Sequence, residues 1–363
     1  MKLGKATGED GIPTEIYIHS PLARESLFEL TKMIFKEEEV PDDFVNGIFC
    51  PIYKNKGSRD DMSKYRFICL LNHSYKLVSS VLLSRLKKEI EQSLPDNQFG
   101  FRAKRSTEDP IALIRHFIDY TISNDMVAHI CYVDYSAAFD TVSHHFLDEC
   151  LERYGASPSS RAVFRAIYNS AYGKVRAKAK DGKVSLSDIF PIVRGVVQGD
   201  IFSPYCFIIA LAKLFEECEI ELSITKMFEQ STRANEEDSI VEATVAPETI
   251  DEFEFDGDGI FPCGEDAYLY ADDAALVDPD HEMLNKRTNI LNKNSSSRAD
   301  MNINVSKTYS QTIAKAVKID HSKEEEYRSF EFSKYCKNCG DGFPCNHGLK
   351  VHLTFKLQKY LQK

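Results

Sequence analysis

Residues 268–277 read Tyr-Leu-Tyr-Ala-Asp-Asp-Ala-Ala-Leu-Val, two short apolar runs that meet at a pair of adjacent carboxylates. Apolar runs of this length broken by a tight polar pair predict a β-hairpin. The turn would hold Asp272 and Asp273 at the rim of a sheet. Two carboxylates forced together repel, and a cation between them relieves that cost. Hard oxygen ligands on a rigid turn suit Mg²⁺, which keeps waters and substrate phosphates in its shell. A solvated surface turn is the plain alternative, and the pair alone does not decide between the two.

A second acidic position changes the balance. Residues 127–134 read Val-Ala-His-Ile-Cys-Tyr-Val-Asp, a β-prone run that predicts a buried strand delivering Asp134 at its end. Asp140 follows shortly, where capping of the next helix is a sufficient role. Three acids from two strands can clamp two metal ions about 4 Å apart, the arrangement that serves phosphoryl transfer with little covalent help from protein groups. Between the two sites lies Arg-Gly-Val-Val-Gln-Gly-Asp-Ile-Phe-Ser-Pro, residues 194–204, read as a loop ahead of an apolar helix from Tyr205 to Phe215. Glycine permits close backbone approach, and a helix N-terminus favours phosphate.

In this order the motifs resemble those of a non-LTR, LINE-like retrotransposon reverse transcriptase, over roughly residues 4–313. Gly4 to Pro13 resembles the opening motif, Tyr65 to Asn72 the first fingers motif, and Asn97 to Arg102 with Arg105-Ser106-Thr107 the second. Asp134 to Asp140 resembles motif A, Gly195 to Pro204 motif B, Tyr270 to Asp273 motif C, and Ile303 to Thr308 the end of motif D. The resemblance implies a right-hand polymerase fold of the α+β class: fingers, then a palm with an antiparallel sheet and helices packed on one face, and a thumb that is short or absent. It implies domains at 1–126 (fingers with the opening motif), 127–313 (palm, with an acidic insertion at about 228–262) and 314–363 (truncated thumb region).

The same resemblance implies roles. Asp134, Asp272 and Asp273 match the metal ligands for two Mg²⁺, for which Mn²⁺ can substitute. Phe139 matches the bulky residue under the incoming sugar that excludes a ribose 2′-OH. Gln198 and Gly199 match the loop against the nascent base pair. Arg66 matches the arginine that holds the triphosphate, where a guanidinium forks onto phosphate oxygens. Arg102 and Tyr135 join the expected nucleotide-binding set, and Lys307 matches the lysine that protonates departing pyrophosphate. The implied partners are an RNA template, a DNA primer and dNTPs, with no membrane. Four positions depart from the pattern: Phe67 stands where the family usually has Pro, Cys69 where it has Ser, Val197 where it has a basic residue, and Ile201 where it has Pro. They keep open a second reading, a decayed relative that only binds nucleic acid. An intron-encoded maturase and an RNA-copying polymerase share the palm motifs and stand as further rivals.

A net charge of −11 runs against nucleic-acid binding, but its distribution removes the conflict. Residues 216–266 carry 17 acids and 2 basic residues, so the remainder of the chain is net +4. The centre of the block, from Asn235 to Gly259, reads as a solvated insertion projecting away from any phosphate-bearing groove. The ten Cys form no tight framework, which suits reduced thiols in an intracellular, nuclear or cytoplasmic protein. No signal-peptide pattern opens the chain, and Met1 falls almost inside the first motif, as in a fragment of a longer element protein.

Apolar residues at Val78, Leu82, Leu86, Ile90 and Leu94 predict one buried helical stripe over 75–94. Ser106 or Thr107 is placed to cap a second helix with Ile111, Ile114 and Ile118 inward, and a third helix is expected over His144 to Tyr154. In the tail, Cys336, Cys339 and His352 fit three positions of a C2H2 zinc finger, but Lys356, Leu357 and Gln358 occupy the places for the fourth ligand. Three ligands imply at most a weak Zn²⁺ site.

Overall fold

A computed structural model describes residues 3–41, 44–178, 183–237, 267–271 and 273–314. After an opening loop come α1 (Thr14–His19) and α2 (Pro21–Glu37). Ser20 starts α2 by accepting the Ala23 N–H, with Pro21 at the first helical position, and Glu38 ends it in a left-handed conformation. Strands β1 (Asn46–Tyr53) and β2 (Tyr65–Leu71) pair antiparallel. Helix α3 (His73–Ile90) follows, and its predicted stripe Val78, Leu82, Leu86 and Ile90 is fully buried.

Helix α4 (Glu108–Ser123) is capped by Ser106, whose Oγ accepts the Glu108 N–H. Its buried face is Pro110, Phe117, Ile118 and Thr121, so Ile111 and Ile114 sit only at its margin. Then come β3 (Val127–Val133), β4 (Tyr135–Ser136), α5 (Ala138–Thr141), α6 (His144–Arg153) and α7 (Pro158–Asn169). Strands β5 (Tyr172–Lys178), β6 (Val184–Leu186) and β7 (Phe190–Pro191) precede α8 (Ser203–Glu237). The expected helix at 205–215 is therefore only the start of a 35-residue helix that continues into the acidic block, including part of the segment read as a solvated insertion. The chain resumes with β8 (Ala267–Tyr270), β9 (Asp273–Asp278), α9 (His281–Ala299), β10 (Asn302–Ile303) and β11 (Tyr309–Ala314).

Two main sheets result. One has the order β2-β1-β5-β6, with β7 also on β5, and β5 runs parallel to β1. Strands β5, β6 and β7 thus complete the sheet begun at 46–53, across the expected division at 126. The other sheet, β11-β3-β9-β8, is antiparallel throughout and carries the site.

Side chains alternate across a strand, and the burial of this second sheet follows that parity. Cys131, Val133, Ala274 and Leu276 belong to the main core with Phe207 of α8 and Leu284 and Leu291 of α9. Ala128, Ile130, Val277 and Ile313 are buried on the opposite face, outside that core. Helix α4 touches β3, β8 and β11 and covers them. The expectation of helices on one face therefore describes only part of the sheet. At the end where β3 gives way to Asp134, the second face carries Tyr132, Tyr309 and Asp273, and Tyr309 and Asp273 are exposed. Among the described residues no helix is long and apolar enough to cross a membrane.

Candidate active site

The predicted hairpin forms. β8 and β9 pair from Ala267↔Leu276 to Tyr270↔Asp273, and Ala271 opens the tight turn between them. Such turns need positive φ, and Ala271 has φ 55°. A non-glycine residue in that conformation is held by its surroundings. Here the 97–100 segment does the holding: the Phe99 N–H donates to the Leu269 carbonyl at 2.8 Å, and the Leu269 N–H to the Asn97 carbonyl at 2.9 Å. Gly100 lies against the Ala271 backbone so closely that a β-carbon would collide with it. The second fingers motif is thus a brace for the acidic turn. Asp272 itself, like Cys336, Cys339 and His352, lies outside the described residues.

Asp134 follows the last residue of β3, and β3 pairs with β9 through Val133↔Ala274. The pairing ends there, with Asp134 and Asp273 the next residues on the two strands. Side chains alternate along a strand, so Asp134 and Asp273 belong to one end of the sheet and to the face of Tyr132 and Ala275. Asp134 is fixed on its other side by the turn after β10. The Asn304 N–H donates to the Asp134 carbonyl at 2.7 Å, and the Asp134 N–H donates to Thr308 Oγ1 at 3.2 Å. Lys307 Nζ donates to Asp134 Oδ2 at 2.8 Å. The structure thus brings Lys307 to the first carboxylate directly.

The motif B loop packs against both neighbours. The Gly195 N–H donates to the Val142 carbonyl at 2.8 Å, and the Val196 N–H to the Phe139 carbonyl at 2.6 Å. Gly195 has φ 79°, and a β-carbon there would lie 2.6 Å from the Asp140 carbonyl. His144 Nε2 donates to the Gly195 carbonyl at 2.8 Å while its ring packs on Tyr168, and burial lowers its pKa. On the other side the Cys69 N–H donates to the Gln198 carbonyl at 2.7 Å. Gly199, at φ 123°, presses on the Cys69 carbonyl. The Gln198 amide reaches Asp140 at 3.4 Å; burial raises the Asp140 pKa and Lys54 partly offsets this. Phe139 is half-buried and stacks on Phe207 with centroids 4.4 Å apart. Arg66 is exposed on β2, three residues before the Cys69 contact.

Two expected nucleotide contacts are corrected. The Arg102 guanidinium is buried and donates to the Pro95, Gln98, Glu91 and Leu94 carbonyls and to the Glu91 carboxylate. Its donors are taken up in closing the turn after α3, because a buried guanidinium must satisfy its N–H groups locally. Tyr135 points its hydroxyl into the core, 3.1 Å from Ser295 Oγ. Sequence reasoning also assigned no role to Asp200. This buried carboxylate accepts from the Tyr75 and Ser79 hydroxyls, each at 2.5 Å, and from the Ile201 N–H at 2.6 Å. Burial raises its pKa. An acid directly after Gln198-Gly199 was visible, but nothing local marked it as the anchor of the loop to α3.

Residues 52–332 match the family model described as reverse transcriptase (RNA-dependent DNA polymerase). The chain belongs to the reverse transcriptase family. Its relatives include the transposon TX1 uncharacterized 149 kDa protein of Xenopus laevis, 26% identical over 58% of this chain and 16% of that protein. The RNA-directed DNA polymerase from mobile element jockey of Drosophila melanogaster is 26% identical over 56% of this chain and 22% of its own length. The Pol polyprotein from type-1 retrotransposable element R2 of Popillia japonica is 23% identical over 58% and 28% respectively. This places the chain with the retrotransposon reverse transcriptases, as the motif order implied. The aligned region spans less than a third of each of these relatives. An apo telomerase from Candida tropicalis aligns loosely, at TM-score 0.43 and 16% identity over 81% of this chain and 56% of its own.

Proposed function

We propose that this reverse transcriptase domain copies RNA into DNA by adding deoxynucleotides to a primer 3′-OH. The observation that carries the reading is the pairing of β3 with β9 through Val133↔Ala274, which leaves Asp134 and Asp273 as the next residues at one end of an antiparallel sheet, with the motif B loop bonded to the Phe139 backbone that follows motif A's first acid. Two carboxylates on rigid strands form a hard-oxygen donor set suited to Mg²⁺, with Mn²⁺ as substitute; Asp272 completes the proposed set. Bound there, two divalent ions would polarise the primer hydroxyl and the departing phosphate oxygens.

The protein groups then position and exclude. The primer oxygen attacks the α-phosphorus of the dNTP and the bond to the β-phosphate oxygen breaks, releasing pyrophosphate. Arg66 orients the triphosphate. Phe139, backed by Phe207, leaves no room for a ribose 2′-OH. Gln198 and Gly199 support the nascent pair on a loop locked at both ends. Lys307 is placed to give a proton to the leaving group. RNA template, DNA primer and dNTPs are the proposed partners, held largely through backbone phosphates and therefore salt-sensitively. An intracellular site of action, nuclear or cytoplasmic, is part of the same proposal. Two of the family departures are absorbed by packing, since Cys69 and Val197 are buried in the core.

The test is Mg²⁺-dependent dNTP incorporation on a primed homopolymer RNA by the purified chain, beside Asp134→Asn and Asp272→Ala. Extension by the parent and none by the variants is expected. Binding of primed RNA without extension by the parent would establish the decayed alternative.

A further inference from the structure

Lys307 and Asp134 are held together more firmly than an isolated surface pair. The turn 304–308 is clipped to Asp134 by two backbone contacts, Asn304 N–H to the Asp134 carbonyl and the Asp134 N–H to Thr308 Oγ1. The Lys307 and Thr308 N–H groups both donate back to the Asn304 carbonyl at 2.9 Å, which closes the turn. Lys307 is therefore presented to Asp134 by a backbone already ordered on that residue, and its ammonium sits 2.8 Å from Oδ2. The Asp134 side chain is only 23% exposed, whereas that of Lys307 is 61% exposed. The carboxylate is fixed; the lysine has room to swing away.

A carboxylate oxygen that accepts an ammonium proton at that distance does not offer the same lone pair to a divalent ion. A second cation brought to the same carboxyl also meets the full charge of the first. We infer that Lys307 competes with the proposed catalytic metal for Asp134, so that metal arrival releases the ammonium into the nucleotide cleft. Proton donor and metal are then coupled: Lys307 becomes available to a leaving phosphate only once Asp134 has exchanged one cation for another. The turn itself need not move, because its two hydrogen bonds to the Asp134 main chain, one from the Asn304 N–H and one to Thr308 Oγ1, do not involve the carboxylate. The inference rests on the metal-site reading above and adds to it a order of events and a reporter.

The experiment uses the full chain and Mn²⁺ alone as probe, with no nucleic acid or nucleotide. Mn²⁺ affinity is measured by the loss of the free-ion EPR signal for the parent, Lys307→Gln and Asp134→Asn. In parallel, amine acetylation of Lys307 in the parent is followed by mass spectrometry as Mn²⁺ is added. An exposed ion pair of this kind implies Mn²⁺ binding about two- to fivefold tighter in Lys307→Gln, and a rise in Lys307 acetylation that tracks Mn²⁺ occupancy. If Asp134→Asn binds as tightly as the parent, the metal site and the inference fall together. If Asp134→Asn weakens binding but Lys307→Gln leaves it unchanged or weaker, or if acetylation of Lys307 stays flat as Mn²⁺ binds, the metal site stands and the competition is refuted. The acetylation arm needs no variant to fold.

Discussion

The motif B loop and the motif D turn are held by two seams of opposite character. The motif B loop is packed closely on motif A, β2 and α3: Gly195 against the Asp140 backbone, Gly199 against the Cys69 backbone, and the Asp200 carboxylate buried among the Tyr75 and Ser79 hydroxyls. On the motif D side the turn is clipped to the Asp134 main chain, and among the described residues the Asp134 carboxylate is held by one ion pair with the largely exposed Lys307. Interiors pack at crystal-like density and do not deform continuously, whereas an exposed ion pair is worth about 0.2–1 kcal/mol and exchanges readily. The first seam fixes the floor under a nucleotide. The second is suited to a group that must change partners during a cycle.

Variants test that contrast. The largest effect belongs to the carboxylates that the two seams serve: Asp272→Ala should abolish primer extension, and retained extension would remove the hairpin from the site. Next, Gly199→Ala forces a β-carbon onto the Cys69 carbonyl at φ 123° and should destabilise the fold by about 2–3 kcal/mol in urea unfolding. Lys307→Ala, on the other seam, should cost less than about 1 kcal/mol in the same assay; equal losses would erase the distinction. Phe139→Val should raise rNTP incorporation relative to dNTP by about tenfold or more, while an unchanged sugar preference would place the steric limit elsewhere.

The smallest effect is a pH dependence. Burial depresses the His144 pKa below its unfolded value near 6.5, so its contribution to stability is present above that value and is lost as pH falls through the depressed one. The urea midpoint of the parent should therefore drop relative to His144→Gln below about pH 6.5. Parallel curves would show that His144 does not titrate against the Gly195 contact.

Much of the site was legible because local chemistry set it. The apolar runs around Asp272-Asp273 have strand length and composition, and they form β8 and β9. The four-residue spacing of Val78, Leu82, Leu86 and Ile90 puts them on one helix face, all at zero exposure. The arginine of the second fingers motif was misassigned for an equally physical reason. A sequence shows that Arg102 carries five donors, but not that five nearby acceptors, four of them main-chain carbonyls, turn toward it. Tyr135 failed in the same way, since strand parity gave no warning that its hydroxyl would meet Ser295 from 160 residues away. The acidic block misled because its charge suggested a loop, while α8 runs on to Glu237.

By itself the sequence determined the hairpin strands around Asp272-Asp273, the strand ahead of Asp134, the buried stripe of α3 and the residue types able to do phosphoryl chemistry, since those follow from periodicity and from what a side chain carries. Only the tertiary structure decided which acids share one end of the sheet, that β5 returns to pair with β1, and that Lys307 lies on Asp134. These are pairings between segments far apart in the chain, and their geometry is set by register and close packing, which no single segment encodes.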